Sequence, residues 1–564
     1  MWLGFVMIAC TVAAGMVSPW ILKYVVDDIQ IAFAPERLPR YAALIVGISV
    51  VEGFFRYWMR KILIGVSRQI EYDLRNDFFA HLQRMSLSFF QTHSTGDIMS
   101  RATNDLNAVR SVLGPGIMYS VTTVITAVII TFILLRLNWQ LTVLAYIPLV
   151  LASLSVKQIG QQIHDRFEEI QEQFSHISTH VQESLSGIRV VKAFAREASE
   201  IDSFEKLNRE YVRRSVSLIR LWGLFYPLLS ALIGLSAAAL LWYGGREVIA
   251  GKLTLGEFVA FLAYISLLTW PTIATGWVIN IFQRGSASMD RILRILRTEP
   301  DIRDLPGSCA PQEIRGGLEI RDLSFRYPNS ERWVLRDINV TLPPGQTLAI
   351  VGQTGAGKST LIQLIARLFD PAPGTVFIDG RDVRQWPLQD LRRVIGCVPQ
   401  ETFLFSDTIR ANVVFGSHDR VGEQETERAV RAAAVDDDIR NFPDGLQTFV
   451  GERGITLSGG QKQRIAMGRA LIREPKLLIL DDALSSVDTY TEERILQNLQ
   501  EITRSRTTII VSHRISTVRG AHQIIVLQDG AIVERGDHEM LMSRGGAYAA
   551  LYQKQLLEEE LATA

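Results

Sequence analysis

The stretch Leu348–Thr360 reads LAIVGQTGAGKST and joins a short apolar strand to a glycine-rich loop. The helical pattern Leu361–Phe369 follows the loop. In the motif GxxxxGK[ST], glycines let backbone N–H groups close around phosphate oxygens, and the start of the helix adds a partial positive charge. Lys358 then reaches the β- and γ-phosphates, and Ser359 binds Mg²⁺. The predicted nucleotide-binding residues of this loop are Gly352, Gly355, Gly357, Lys358, Ser359 and Thr360.

A second apolar strand, Leu477–Leu480, ends in the adjacent carboxylates Asp481 and Asp482. A strand that delivers a carboxylate to Mg²⁺ is the Walker B arrangement. Paired carboxylates at a strand end are also common in solvated loops. Beside a P-loop, we interpret Asp481 as a metal ligand, and the chain is therefore predicted to bind ATP and Mg²⁺.

Between the two strands lies the pentapeptide LSGGQ at Leu457–Gln461, which opens the helical pattern Lys462–Ile472. Exposed amides at the start of a helix make a second anion site. Placed shortly before Walker B, this pentapeptide resembles the signature of ATP-binding cassette (ABC) proteins. The resemblance implies that four residues complete the ATP site of a partner chain: Ser458, Gly459, Gly460 and Gln461.

Further motifs resemble those of the same family. Tyr327 resembles the aromatic residue that stacks on adenine, and Asp488, in SSVD, resembles the aspartate that crosses to the partner. Gln400, in VPQE, resembles the glutamine that senses Mg²⁺ and communicates with the membrane domain. His513, in VSHR, resembles the switch histidine at the γ-phosphate, and FVGERG at 449–454 resembles an exporter-type segment. The resemblance thus implies catalytic roles for Gln400 and His513, with Gln400 also at the metal.

Before residue 285 the chain contains six long apolar runs. A helix needs about 20 apolar residues to cross a bilayer. Buried helices of a soluble domain are the alternative, but such helices carry a polar stripe, and Val121–Leu135 and Leu228–Trp242 are predicted to carry none. The predicted spans are Met1–Val26, Tyr41–Trp58, Val112–Leu135, Leu141–Val156, Leu221–Tyr243 and Phe258–Phe282.

The first run resembles a signal peptide, but nothing basic precedes Lys23, so we interpret Met1–Val26 as a retained first span. Because it begins abruptly, we expect that a short upstream piece is missing.

The segments between the spans alternate in length. The short ones are Asp27–Arg40, Arg136–Gln140 and Gly244–Glu257, and the long ones are Met59–Ser111 and Lys157–Arg220. The long segments carry helical patterns, so we expect the spans to continue as helices beyond the bilayer. Phe89–Asp97 with Arg101 resembles the first coupling-helix region of ABC exporters, and Glu183–Arg196 resembles the second.

The predicted organisation is an α-helical six-span transmembrane domain of the type I exporter fold, followed by an α/β P-loop nucleotide-binding domain. Its parts are the transmembrane domain at 1–298, a linker at 299–317, the ABC domain at 318–555 and an acidic tail at 556–564. Lys and Arg number 59, as do Asp and Glu, so no net basic field favours nucleic acid as a partner. Three cysteines without a CxxC motif exclude a disulfide scaffold and a cysteine-based zinc site.

Two residues depart from the family pattern. Asp482 stands where the family usually has the glutamate that positions or deprotonates the attacking water. Aspartate is one methylene shorter, and general-base chemistry requires reach to within about 3 Å. Leu484 stands where a small polar residue is usual. Asp482 therefore predicts a slow ATP site on this chain.

The predicted function is ATP-driven export of a hydrophobic or amphiphilic substrate of the drug or lipid class. The chain would be one half of a dimer in the plasma (inner) membrane, with its nucleotide-binding domain in the cytosol and a heterodimer favoured. Two alternatives stay open: a nucleotide-binding regulatory subunit that gates a catalytic partner, and a homodimeric lipid flippase. A soluble cassette of DNA repair or translation is excluded by the six spans, and importers usually place spans and cassette on separate chains.

Within the second span, Glu52 and Arg56 stand four residues apart. An ionisable residue in a span suggests a functional site. A self-neutralising pair near the membrane edge is the alternative, and the spacing of four residues favours this alternative.

Overall fold

The structure is a computed structural model and describes residues 1–31, 35–328, 330–417, 421–451, 454, 457–484, 494, 495 and 506–563. The chain divides into two compact units. Unit 1 comprises Met1–Gln83 and Ser94–Thr298, and unit 2 comprises Arg84–His93 and Glu299–Ala564.

Long helices make up most of unit 1. In chain order the helices of the first half are α1 (Trp2–Ile31), α2 (Leu38–Leu82), α3 (Leu87–Thr92), α4 (Thr95–Ser100), α5 (Leu106–Ser111), α6 (Ile117–Leu137), α7 (Trp139–Ser186), α8 (Ile188–Ala193), α9 (Glu197–Ile249) and α10 (Leu255–Arg297). A 3₁₀ turn at Pro35–Arg37 precedes α2, and π-helical turns at Arg101–Asp105 and Val112–Gly116 join α4, α5 and α6 into one continuous rod. Of these helices, only α3 lies in unit 2.

Five helical stretches among the described residues are long and apolar enough to cross a membrane: Trp2–Gln30, Leu38–Leu82, Thr95–Leu137, Glu197–Ile249 and Leu255–Arg297. They contain five of the six predicted spans. The remaining one, Leu141–Val156, lies on α7 and is not among the five. Several side chains in that part of α7, including those of Leu149 and Val156, lie outside the description.

The expectation that Val121–Leu135 carries no polar stripe was wrong. Thr122, Thr126 and Thr131 lie on this part of α6. The hydroxyls of Thr122 and Thr131 donate to the carbonyls four residues earlier, at 2.8 and 2.6 Å. Threonine satisfies its hydroxyl within its own helix in this way, so a run of threonines is compatible with a membrane span.

The turn before α10 is held by polar contacts to α1. Thr254 and Glu257 form a capping box at the start of α10. Asp27, near the end of α1, accepts hydrogen bonds from the Gly256 N–H at 2.8 Å and the Thr254 hydroxyl at 3.0 Å. Lys23 reaches Glu257 at 3.0 Å. These contacts fix the ends of α1 and α10 beside each other.

Helix α2 extends to Leu82, and α7 and α9 continue through the second long segment, with α8 at the tip between them. The expectation that the spans continue as helices is therefore confirmed. Polar contacts join α7 to α9 there: the Gln173 side chain donates to the Leu207 carbonyl at 2.9 Å, and the Arg214 guanidinium donates to the Glu169 carbonyl at 2.8 Å. These contacts hold α7 and α9 together beyond the predicted spans.

The six predicted spans, with the nucleotide-binding domain in the cytosol, place the turn between α9 and α10 outside the cell and the start of α4 inside it. A cysteine at Lys252, in the exposed turn between α9 and α10, should react with a membrane-impermeant thiol reagent in whole cells. A cysteine at the exposed Thr95, at the start of α4, should not react until the cells are opened. A cysteine-free background, with Cys10, Cys309 and Cys397 replaced by serine, supplies the baseline. The reverse labelling pattern would overturn the orientation.

Unit 2 contains two sheets. Its strands are β1 (Leu318–Phe325), β2 (Leu335–Leu342), β3 (Thr347–Gly352), β4 (Val376–Ile378), β5 (Arg381–Asp382), β6 (Ile395–Val398), β7 (Leu477–Asp481), β8 (Thr507–Val511), β9 (Gln523–Gln528) and β10 (Ala531–Gly536). The smaller sheet has the order β2-β1-β4-β5 and is antiparallel. The larger sheet has the order β10-β9-β3-β8-β7-β6 and is parallel except for β10.

The described helices of unit 2 after β3 are α11 (Lys358–Ile365), α12 (Leu388–Val394), α13 (Ile409–Val414), α14 (Glu423–Ala432), α15 (Asp436–Asn441), α16 (Gly459–Leu471), α17 (Ile515–Val518), α18 (His538–Arg544) and α19 (Ala547–Thr563). Two apolar clusters pack on this frame. One contains Leu348, Ile350 and α11, and the other contains Ala349, Val351 and α16. Alternate residues of the buried strand β3 therefore serve two different cores, as expected for a strand covered on both faces.

The register of the parallel sheet determines where its motifs lie. Ile350 of β3 pairs with Val511 of β8, and Val511 pairs in turn with Asp481 of β7. On the other side of β7, Leu480 pairs with Val398 of β6. The carboxyl ends of β3, β8, β7 and β6 thus lie at one edge, which is where parallel α/β sheets bind ligands.

Residues 299–317 contain no helix or strand, and α19 continues beyond residue 555 to Thr563. The segment Arg84–His93 lies in unit 2, where the hydroxyls of Ser86 and Ser88 donate to the Asp301 carboxylate at 3.0 and 2.6 Å. Leu87 packs against an apolar cluster of the same unit. The first part of the region that resembles the first coupling helix, up to His93, thus belongs to unit 2.

Candidate nucleotide-binding site

The loop after β3 turns sharply into α11. Gly352 lies so close to β9 that a Cβ there would clash with the carbonyl oxygen of Leu527. Gly357 precedes α11 with φ of +98°, in the left-handed region that favours glycine. These two glycines bring backbone N–H groups to the start of the helix, where a phosphate can bind.

The Lys358 side chain curls back over this loop. Its ammonium donates to the carbonyls of Gly352 at 2.8 Å and Gln353 at 2.9 Å, and the residue is buried. Burial lowers the pKa of Lys358, while the nearby charges of Asp482 and Asp481 oppose that shift. The ammonium is therefore a positive charge withdrawn from water, which a bound phosphate would stabilise.

Asp481 ends β7 and is also buried. Burial raises the pKa of its carboxyl, and the neighbouring Asp482 adds to the shift, while a hydrogen bond from Ser359 opposes it. Ser359 and Asp481 thus line the same cavity. A hydroxyl and a carboxylate side by side fit Mg²⁺, which takes few protein ligands and keeps water and phosphate oxygens. Among the described residues, no group of three or more His, Cys, Asp and Glu that could hold a metal occurs.

Asp482 is turned towards the end of β8. Its backbone has φ of +49°, and its N–H donates to the Val511 carbonyl at 2.9 Å. One oxygen of its carboxylate accepts a hydrogen bond from the backbone N–H of His513 at 3.3 Å. The other oxygen lies 3.4 Å from the imidazole Nε2 of the same residue. The Asp482 carboxylate is therefore held by the histidine rather than directed into open space.

These residues line one cavity of about 290 Å³. Its predicted site residues are Gly355, Gly357, Lys358, Ser359, Thr360, Gln400, Asp481, Asp482 and His513. Val334 and Thr354 complete the lining, and neither of them was a predicted site residue. The structure thus brings together the P-loop, Walker B and the residues after β6 and β8.

Tyr327 lies beside the P-loop helix without lining this cavity. Its hydroxyl is 3.0 Å from the Thr360 hydroxyl and donates to Gln363 at 3.3 Å. Its ring meets Phe325 and Phe369 edge to face, with centroids 5.2 and 5.1 Å apart. The proposed stacking of Tyr327 on adenine stays a prediction.

The LSGGQ residues begin α16 and are not among those that line the cavity. The Ser458 hydroxyl accepts from the Gln461 N–H at 3.3 Å, and the Gln461 side chain accepts from the Ser458 N–H at 3.0 Å. This capping box leaves the first amides of the helix, at Gly459 and Gly460, available to an anion from outside.

Sequence reasoning missed Asp438, on α15. Its carboxylate accepts from the Gln461 side chain at 2.9 Å and lies 2.7 Å from the Arg464 guanidinium. The Arg464 guanidinium also donates to the Ala434 carbonyl at 2.7 Å. The acidic run at 436–438 was the available signal, because three successive carboxylates beside a basic helix predict ion pairs.

Part of the predicted site cannot be placed. Asp488 and residues 452–453 lie outside the described residues. Leu484 is described and is buried in the same apolar cluster as Leu457 and Ile495. The unusual residue after Walker B is thus a core residue in this chain.

Comparisons with known proteins agree with this arrangement. The family profile described as the ABC transporter transmembrane region matches residues 1–272, and the profile described as ABC transporter matches residues 335–485. In the solved structures, a bacterial Atm1-family ABC exporter with ATP bound is similar, with a TM-score of 0.80 and 28% identity. The similarity covers 98% of this chain and 97% of that one.

Curated relatives are similar over nearly their whole length. A probable multidrug resistance ABC transporter ATP-binding/permease protein of Bacillus subtilis, YheI, is 37% identical over 96% of this chain and 93% of its own. The multidrug resistance-like ATP-binding protein MdlA of Escherichia coli is 37% identical over 97% and 92%. An ATP-dependent lipid A-core flippase of Syntrophus aciditrophicus is 36% identical over 99% and 92%.

Proposed function

Since the chain belongs to the ABC transporter family, with a type I exporter fold and an ATPase coupled to export, we propose that it is one half of a heterodimer whose own ATP site turns over slowly. It is a multi-pass membrane protein with a cytosolic nucleotide-binding domain. Exporters of this family function as dimers in the membrane. The proposal concerns the partner, the roles of the site residues and the rate of this site.

The P-loop residues hold ATP. Backbone amides of 355–360 and the start of α11 surround the β- and γ-phosphates, and the Lys358 ammonium neutralises them. Ser359 and Asp481, which line the same cavity, would hold Mg²⁺ with Gln400 beside them. The metal would neutralise the charge that develops on the transferred phosphoryl group. Catalysis is then mainly positioning and charge stabilisation.

The position of Asp482 supports the slow site. An aspartate carboxylate ends about 1.5 Å short of where a glutamate carboxylate would end. Here it is also held by His513, through the N–H at 3.3 Å and Nε2 at 3.4 Å. A base that is short and engaged orients the attacking water poorly, and loss of general-base assistance costs about 10²- to 10⁴-fold in rate.

The signature of this chain would serve the partner's site. Ser458 caps α16 with its first amides free, so it can meet the γ-phosphate held by another P-loop. The tip at α8, which resembles the second coupling helix, also supports a partner. It has no buried residues, and Val190 and Phe194 are 61% and 73% exposed. These two exposed apolar side chains, one on α8 and one directly after it, fit a contact with a partner.

The substrate class is proposed as hydrophobic or amphiphilic. Relatives are described as multidrug resistance transporters and lipid A-core flippases, and both descriptions fit such cargo. A homodimeric flippase and a regulatory subunit are the competing assignments. A homodimeric flippase predicts brisk ATPase activity of the chain alone, whereas a regulatory subunit predicts a slow lone chain, as the proposed half does.

The proposal is tested by ATPase measurements on the chain purified alone and with its partner half-transporter. We expect the lone chain to be at least about 100-fold slower than the pair, because both of its sites lack an adequate base. Asp482→Glu should raise the rate of the lone chain, and Asp482→Asn is the matched control that should not. Brisk turnover of the lone chain that Asp482→Glu leaves unchanged would contradict the slow site and support the homodimer.

Asp438 should matter through Gln461. Asp438→Ala removes the acceptor that orients the Gln461 amide, so we expect the turnover rate of the pair to fall about 10-fold, which corresponds to about 1.4 kcal/mol. ATP labelling of this chain's own P-loop should not change. Asp437→Ala is the matched control, because Asp437 pairs with Arg494 and Arg440 instead of the signature. Equal losses in the two variants would show that α15 is merely structural.

A further inference from the structure

A cavity of about 910 Å³ lies in unit 1 between α1, α2, α6 and α10. This size is within the range of cavities that hold drug-sized ligands. Its walls are mostly apolar, with Met16 and Val12 from α1, Tyr119 from α6 and Trp270 from α10. The exceptions are six serine and threonine side chains and three charged side chains of α2.

The three charged residues are Glu52, Arg56 and Arg60. They are spaced four residues apart, so they lie on one stripe of α2. Glu52 forms an ion pair with Arg56, as the sequence spacing predicted. A Cβ at Gly15 of α1 would lie 3.6 Å from the Glu52 carboxylate, so this pair is directed at the neighbouring helix rather than away from it.

The depth of these residues follows from the helix rise. Glu52 lies 11 residues after Tyr41, which is about 16 Å into a hydrocarbon layer of roughly 30 Å. With the span beginning at Tyr41, as predicted, the pair lies nearer the middle of that layer than its edge. Farther along α2, the Lys61 ammonium lies over the rings of Trp58 and Tyr57, at 4.8 and 5.8 Å. Aromatic and basic residues in this arrangement mark the interface with the head groups.

Arg60 carries the uncompensated charge of the stripe. Glu52 neutralises Arg56, whereas no described residue forms an ion pair or hydrogen bond with Arg60. A second, open surface cavity, lined by residues of α2 alone, also includes Arg56, Arg60 and Lys61. The two guanidiniums thus connect the interior cavity with a basic surface at the depth of lipid head groups.

We propose that the cavity between α1, α2, α6 and α10 takes an amphiphile with an anionic head group, a phosphate or a carboxylate, which binds Arg60 and then Arg56. This rests on the proposed export of an amphiphilic substrate, because it assigns the charge of that substrate. The guanidinium fork matches the two oxygens of such a head group. The apolar walls take the chain, and the surface cavity lets the head group arrive at the level of the cytosolic leaflet.

The test is equilibrium binding to the protein in phosphatidylcholine nanodiscs, with matched twelve-carbon probes. We expect radiolabelled dodecyl phosphate to bind, and Arg60→Gln to weaken its binding about 10-fold or more, because a charge-assisted fork is lost. Dodecyl maltoside, which has the same tail and no charge, should bind both proteins equally. Arg60→Lys keeps the charge without the fork and should fall between them.

Two further variants separate the explanations. Lys61→Gln removes one charge at the same depth from the surface cavity alone, and it should change binding less than about 2-fold. Glu52→Gln frees Arg56 and should tighten dodecyl phosphate binding several-fold. Equal losses in Lys61→Gln and Arg60→Gln would overturn the site in favour of a general surface charge. Preferred binding of dodecyltrimethylammonium that Glu52→Gln abolishes would overturn it in favour of a cationic substrate.

Inorganic phosphate at millimolar concentration should not displace dodecyl phosphate, and displacement would assign the site to the free anion instead. Since binding is measured without ATP, the inference can fail while the paired protein still hydrolyses ATP and exports. A pair that binds dodecyl phosphate as expected but neither hydrolyses nor exports would instead refute the proposed function.

Discussion

Lys358→Ala should reduce photolabelling of this chain by an azido-ATP by at least about 100-fold. The Lys358 ammonium is buried and bonded to two carbonyls of the phosphate-binding loop. Each hydrogen bond to a charged group contributes about 1.5–3 kcal/mol, and the lysine also neutralises two phosphates. Its removal takes a side-chain cation away from the phosphates, which then face the carboxylates of Asp481 and Asp482 without it.

The measurement is made on the paired protein, with the two chains separated on a gel so that each site is read independently. Lys476→Ala is the matched control, since Lys476 is exposed just before β7 and does not line the cavity. Labelling of the partner chain should stay within about 2-fold. Undiminished labelling of the Lys358→Ala chain would refute the assignment of this cavity to ATP.

The nucleotide-binding half could be predicted closely from sequence because its motifs fix their own geometry. A glycine pattern between a strand and a helix leaves few backbone arrangements, and Gly352 and Gly357 have the close approach and the left-handed φ that such a loop needs. The order of the motifs along the chain did not by itself show which of them lie close together in space. Their proximity follows from the strand order β3-β8-β7-β6, which brings Gln400 and His513 into the same cavity as Lys358.

The membrane half was predictable at the level of length and hydropathy only. The runs before residue 285 indicated spans, and the helical continuation of α2, α7 and α9 followed from periodicity. Which faces meet could not be predicted, because the apolar pattern is similar on all sides of a span. For this reason the sequence favoured a self-neutralising ion pair without a function at Glu52 and Arg56, whereas both residues line a large cavity in the structure.

The contacts of Asp482 and Asp438 were beyond sequence reasoning for a different reason. Both depend on residues far away in the chain: Asp482 meets His513, and Asp438 meets Gln461. A single sequence identifies each residue but not the pair. The chemistry of Asp482 could be anticipated from its length, but its engagement by His513 could not.

In the paired protein, Ser458→Arg should lower ATPase activity by about 10²- to 10³-fold, while Asp482→Ala should change it less than about 2-fold. Ser458 caps the helix that meets the partner's nucleotide, and an arginine there removes the cap and fills the space of the γ-phosphate. If that site performs nearly all hydrolysis, its loss silences the pair. Asp482 acts at the other site, which contributes about 1% or less of turnover if general-base assistance is already missing.

The quantity that tests the proposal is the ratio of the ATPase rates of these two variants, because a loss of activity in one variant alone can also come from a folding defect. Ser543→Arg is the matched control, because it places the same side chain on an exposed serine of α18 away from the nucleotide. Wild-type thermal unfolding of all three variants would exclude a loss of folding. Equal effects of Ser458→Arg and Asp482→Ala would mean that the two sites work alike, and the chain would then be a half of a symmetric exporter. A large effect of Ser458→Arg with a small effect of Asp482→Ala fits a chain that lends its signature to the fast site and keeps the slow one.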